Sequence, residues 1–116
     1  MSGIVFFATE ELETIRRFYL DRIGMETWLE QPDCVILRED NLLLGFCDRP
    51  EAETEGTITF VSETKTGVDR RYDELSDLAR EPPVENDRYE IYQFFATDPE
   101  GRTLEFQSFQ HPTDPI

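Results

Sequence analysis

The sequence predicts an α+β fold built from two β-α-β-β-β modules, and three observations carry that prediction. The first is the closing stretch FFATDPEGRTLEFQSF, residues 94 to 109. There Asp98-Pro99-Glu100-Gly101 puts turn-forming residues between two runs rich in Phe, Thr and Leu, the pattern of a β-hairpin. The second is the order strand, helix and three strands, which occurs twice along the chain. The third is a faint self-similarity: shifting the first half by 53 places lays Phe7 on Phe60, Ile15 on Val68, Arg17 on Arg70 and Tyr19 on Tyr72.

The elements follow in order. Ile4-Val5-Phe6-Phe7 predicts a strand over 4–8. Thr9, followed by Glu10 and Glu11, starts a helix with acids in its first turn. Leu12, Ile15, Tyr19 and Ile23 recur at helical spacing and Gly24 ends the helix, giving 10–22. Strands are expected over 25–30, 33–39 and 42–47, the last two joined through Asp40-Asn41. Arg49 to Glu55, acidic and carrying a Pro, reads as a linker between a first module of about 3–48 and a second of about 56–109. In the second, Thr57 to Val61 predicts a strand over 56–62, and Val68, Tyr72, Leu75 and Leu78 a helix over 66–79. Pro82-Pro83 breaks that helix. A weak strand around Val84 and the hairpin strands 89–97 and 103–109 complete the set.

Size and charge bound the function. A chain of 116 residues is the length of one domain and can bury a core without staples. Acidic residues number 26 against 11 basic ones, a net charge of −15. Such a surface repels phosphate backbones and anionic membranes, so neither is an expected partner. With Lys65 as the one lysine, the arginine-for-lysine bias resembles halophilic proteins, whose surplus charge is screened by salt. No apolar run approaches a membrane span, and residues 2 to 12 alternate rather than form a leader, so a cytoplasmic location is expected.

Two modules, each with a helix over one face of a small sheet, leave the other faces free to line a cavity. Within 103–109, Leu104 and Phe106 alternate with Thr103, Glu105 and Gln107, so the period of two sets Glu105 on the face away from the apolar pair. On the first strand the same alternation sets Ile4 and Phe6 on the cavity face, with Val5 and Phe7 toward the helix.

An N-terminal strand running into ATEELETIRRFY, paired with the terminal ATDPEGRTLEFQSF, resembles the vicinal oxygen chelate superfamily. That superfamily includes glyoxalase I, extradiol dioxygenases and fosfomycin and bleomycin resistance proteins. The likeness spans roughly residues 4 to 109, and its most specific part is Asp-Pro-x-Gly followed by Leu-Glu-Phe. It implies paired modules whose sheets form a cup around a divalent metal, assembled as a homodimer, and it implies that Glu105 faces the cup.

The metal ligands that the resemblance implies are not all present. The first, a His seven residues before the acid that opens the helix, falls on Ile4, because that acid is Glu11. The second, at the start of the second module, falls on Thr57. The internal counterpart of Glu105 is Gly45, since Leu44-Gly45-Phe46 lies against Leu104-Glu105-Phe106. A lone carboxylate cannot supply the several convergent donors of an octahedral site. The one His, His111, lies in a Pro-flanked tail and reads as an exposed terminal residue.

Cys34 opposes Cys47 if Asp40-Asn41 forms a two-residue turn. The pair reads as two small buried hydrophobes rather than a redox or nucleophilic couple, and Cys47 shares a strand face with Gly45. Phe6, Trp28, Tyr92 and Phe95 stand on short strands, where large aromatics are more often core than ligand contacts. A wall of Ile4, Phe6, Cys47, Thr57, Thr59, Glu105 and Gln107 has the make-up of a small-molecule pocket. Glu105 is its candidate general base. The expected function is therefore a small-molecule-binding protein without the usual metal centre or any other cofactor. A metal-dependent lyase, isomerase or dioxygenase is the alternative.

Overall fold

The computed structural model describes residues 1–116 and divides into two units, Met1–Glu55 with Pro99–Gly101, and Gly56–Asp98 with Arg102–Ile116. The first holds β1 (Val5–Thr9), α1 (Leu12–Arg17) continuing as a π-helical stretch Phe18–Ile23, β2 (Glu26–Gln31), β3 (Cys34–Glu39) and β4 (Leu42–Asp48). The second holds β5 (Thr57–Val61), α2 (Lys65–Leu75), β6 (Val84–Asn86), β7 (Ile91–Thr97) and β8 (Thr103–Phe109). The α+β class and the doubled β-α-β-β-β order are as the sequence predicts.

Each unit is a four-stranded mixed sheet of the same topology, β1-β4-β3-β2 and β5-β8-β7-β6, with the first pair parallel and the others antiparallel. A parallel first pair requires a crossover, and the helix of each unit supplies it. No helix is long and apolar enough to cross a membrane.

The helix-facing side of each sheet makes the core. In the first unit Tyr19 stacks on Phe46 with ring centroids 4.9 Å apart, and Phe7 stacks on Phe46 from β1. In the second, Phe94 and Phe60 both stack on Phe106, and Tyr72 of α2 meets Phe94 edge-on. These rings share the two cores with Ile15, Leu37, Leu44, Val68, Leu75 and Leu104. Burial of apolar area on one helix stripe against one sheet face is the main stabilising term in both units.

Local chemistry sets the ends. Thr9 Oγ1 accepts from the Glu11 N–H at 3.0 Å and donates to Glu100, and Thr64 caps α2 by accepting from Gly67 N–H at 3.1 Å. Gly24 stops the first helix at φ 89°, a left-handed conformation that glycine adopts without penalty, and Met25 N–H returns to the Tyr19 carbonyl.

Five expectations change. The helix expected over 10–22 starts at Leu12 and its second half widens to π geometry. The helix expected over 66–79 ends at Leu75. Ala79 is drawn into an antiparallel bridge with Ala96 and Arg80 N–H bonds the Phe95 carbonyl, so strand pairing takes the chain away from the helix axis. Ile4 lies before β1 instead of within it. Trp28 is not core but 46% exposed, because it sits where the β2–β3 register slips on an edge strand; Phe6 is likewise exposed, and Tyr92 and Phe95 are only half-buried. Finally, Cys34 and Cys47 are not separate thiols but a disulfide. They are direct cross-strand partners with Cα atoms 4.1 Å apart, close enough for the sulfurs to meet.

Candidate functional site

The helix-free face of the second sheet carries the candidate site. Alternation along β7 and β8 turns Ile91, Gln93 and Phe95, and Glu105, Gln107 and Phe109, to this side, while Phe94, Ala96, Leu104 and Phe106 face α2. The hairpin register sets Phe95 opposite Glu105, Gln93 opposite Gln107 and Ile91 opposite Phe109. Gly101, at φ 93°, makes the turn that fixes this register. The ion pair of Asp98 with Arg102, 3.2 Å and fully buried, locks the base of the hairpin, and Asp98 also accepts from the Arg102 backbone N–H at 3.0 Å.

A cleft of about 540 Å³ opens on this face, lined from β6 to the C-terminal tail by Asn86, Tyr89, Gln93, Phe95, Glu105 and Gln107, with Ile91, Phe109 and His111 at its end. Glu105 is 9% exposed and Oε1 accepts a 2.8 Å hydrogen bond from the Thr59 hydroxyl across the parallel β5–β8 pair. Glu105 has no basic partner within ion-pair distance. Gln107 is 8% exposed, and its Oε1 is buried without a hydrogen-bond partner. Such an orphaned acceptor costs free energy that a donor from a ligand recovers.

The first unit carries a different solution at the equivalent place. Phe6 pairs with Gly45 just as Thr59 pairs with Glu105. A Cβ built at Gly45 would lie 2.2 Å from the Phe6 ring, so that ring occupies the space over the glycine. Where the second unit has a hydroxyl bonded to a carboxylate, the first has an aromatic ring on bare backbone.

The expected site residues therefore divide. Glu105 and Gln107 share the cleft, and Thr59 holds Glu105 from the neighbouring strand. Thr57 stands on the same strand, exposed and paired with Thr103. Ile4, Phe6 and Cys47 belong to the first unit, where Cys47 is tied to Cys34. His111 is not a bare tail residue: its ring packs edge-on against Phe109 at 5.6 Å and lines the cleft. Sequence reasoning missed Asn86, Tyr89, Gln93 and Phe109. Gln93 and Phe109 were within reach, since extending the hairpin from the Asp98 turn opposes them to Gln107 and Ile91.

The donor set does not fit a divalent metal. At the positions the resemblance marks, Ile4, Gly45 and Thr57 offer no imidazole or carboxylate, and no group of three or more His, Cys, Asp or Glu converges anywhere in the structure.

The sequence matches no family model and no curated protein. The fold does match. A glyoxalase/bleomycin resistance protein/dioxygenase from Nocardioides superposes with TM-score 0.79 at 16% identity, over 100% of this chain and 87% of that one. Lactoylglutathione lyase from Agrobacterium tumefaciens gives TM-score 0.78 at 18% identity, over 95% of this chain and 94% of its own. An integron cassette protein from the mobile metagenome of a Halifax Harbour sewage outfall gives TM-score 0.80 at 20% identity, over 94% and 98%. The chain thus has the glyoxalase/bleomycin resistance fold that its two terminal motifs imply.

Proposed function

We propose that this chain binds a small organic molecule on the helix-free face of its second sheet, and that it does so without a metal or other cofactor. One observation carries the reading: Glu105 is buried and held by Thr59, while its internal counterpart is Gly45 beneath the Phe6 ring. A metal centre needs convergent donors, and this arrangement offers one carboxylate beside apolar rings and an unpaired amide oxygen. A largely apolar cleft of about 540 Å³ with a few fixed polar groups is the make-up of a small-molecule site. The names of the structural neighbours agree with ligand chemistry on this fold, a lyase among them.

Glu105 is the group available for proton transfer. Thr59 engages Oε1 and fixes the carboxylate, which leaves Oε2 to meet a ligand. Thr57, on the same strand as Thr59, joins the proposed ligand-binding set. We further propose a homodimer: Val5, Phe6, Trp28 and Leu29 are large apolar side chains left exposed on the first unit, and β2 is an exposed edge of its sheet.

The test is a fragment screen by nuclear magnetic resonance on chelator-treated protein. Hits that perturb Gln93, Phe95, Glu105 and Gln107 together support the reading. Binding that appears only after a divalent metal is added contradicts it and restores the metal-dependent enzyme.

A further inference from the structure

We infer that the cleft takes a small organic cation bearing N–H groups, an amidinium, guanidinium or primary ammonium on an apolar body. The inference rests on the binding function proposed above and assigns its ligand class.

The polar atom of the cleft that is buried without a partner is an acceptor, Oε1 of Gln107. Oε2 of Glu105 makes no hydrogen bond within the chain. Gln107 is 8% exposed and Glu105 9%, so both side chains keep only a small contact with water. A buried carboxylate without a countercharge is costly, and a ligand that brings both a positive charge and N–H donors removes that cost as it binds. The remaining walls combine the amides of Asn86 and Gln93 with rings: Phe95 and Phe109 lie across the strands from Glu105 and Ile91, and the His111 ring packs against Phe109. Aromatic faces attract cations.

Two arginines of the chain lie against rings of the cleft lining without reaching Glu105. Arg80 donates to the Thr97 and Thr103 hydroxyls and lies 6.0 Å from the Phe95 centroid, while Arg88 lies 5.4 Å from the Tyr89 centroid. Neither forms an ion pair with Glu105. Both show that rings of this cleft accept guanidinium groups on their faces. A net charge of −15 adds a long-range pull on cations and repels anions.

The experiment titrates the chain with benzamidinium, benzylammonium, benzamide and benzoate, four small rings that differ in charge and donors. High salt screens the general pull of the net charge. The expected result is that benzamidinium perturbs the resonances of Phe95, Phe109 and His111 and binds at least about tenfold more tightly than benzamide or benzoate. Glu105→Gln should weaken benzamidinium about tenfold by removing the charged acceptor. Glu63→Gln, which removes an exposed charge outside the cleft lining, should leave it unchanged. If Glu105→Gln does not fold, Gln107→Leu carries the comparison, with an expected loss of about threefold or more. Benzamide or benzoate binding the same residues as tightly as benzamidinium overturns the cation class and leaves the cleft as a ligand site. Benzamidinium binding that is indifferent to Glu105→Gln also overturns it. Silence from all four probes overturns both the cation class and the binding function.

Discussion

The Phe6 ring lies in the space that a side chain at residue 45 would fill, with the Gly45 Cβ position 2.2 Å from its Cδ1. Phe6 and Gly45 are direct partners across the parallel β1–β4 pair. A glycine in a strand interior gives up packing and backbone entropy. The ring from the neighbouring strand recovers part of that packing, although Phe6 itself is 48% exposed.

The pair is therefore energetically coupled. Phe6→Ala should destabilise the protein by about 1 kcal/mol, the value for a half-buried aromatic ring. In a Gly45→Ala background, where the added methyl has already displaced the ring, Phe6→Ala should cost less by about 0.5 kcal/mol or more. A double-mutant cycle from urea unfolding measures the difference. Additive costs would mean that the ring does not protect the glycine.

Glu105 and Asp98 are both buried carboxylates on or beside β8, and they should respond differently to neutralisation. Glu105 meets only a hydroxyl, and Glu105→Gln keeps an acceptor for Thr59 while removing the buried charge. Its stability should hold or rise. Asp98 is the countercharge of Arg102, which is 1% exposed, so Asp98→Ala should cost on the order of 3 kcal/mol. Thermal melts in molar salt compare the two. A clear loss in Glu105→Gln would mean that the carboxylate is a structural ion-pair partner after all.

Tyr92 anchors α2 to β7. Its hydroxyl donates to Asp69 at 2.6 Å, and that bond, with burial and the nearby charges of Asp69 and Glu85, pushes the phenol up to about 12. A pKa raised by folding marks stability that is fully present below the ordinary tyrosine value of about 10 and lost as pH climbs toward the folded value. Phenolate absorbance should show one tyrosine ionising late in the folded protein. Tyr92→Phe should remove that late step and flatten the alkaline fall in stability, whereas a late step that survives the substitution would assign it to another tyrosine.

The residues that proved legible in the sequence are those governed by short-range periodicity. A two-residue turn at Asp40-Asn41 fixes Glu39 opposite Leu42, and with it Cys34 opposite Cys47. Alternation from Leu104 to Phe106 fixes the side of the strand on which Glu105 lies. What periodicity cannot express is a contact between strands that are distant in sequence. The Phe6 ring over Gly45 and the Thr59 hydroxyl on Glu105 each depend on side-chain direction after pairing. Trp28 misled because its strand pattern is sound, yet the register slips there and turns the side chain outward. The disulfide misled for another reason: opposition in register permits a bond, and nothing in the spacing decides whether it forms.

Self-association should depend on salt. A charge of −15 on each chain repels its twin at low ionic strength, and screening removes the penalty. Light scattering in molar salt at micromolar protein should give twice the chain mass, and Trp28→Glu should shift the sample toward monomer. A monomer mass in molar salt would refute the homodimer.

Elemental analysis of the purified protein, combined with a thermal-shift series in Mn, Ni, Zn and Fe at high salt, tests most directly a ligand site that works without metal. The donor set of Ile4, Gly45, Thr57 and Glu105 predicts no stoichiometric metal and no shift in melting temperature that depends on Glu105. One metal per chain, lost in Glu105→Gln, would contradict it.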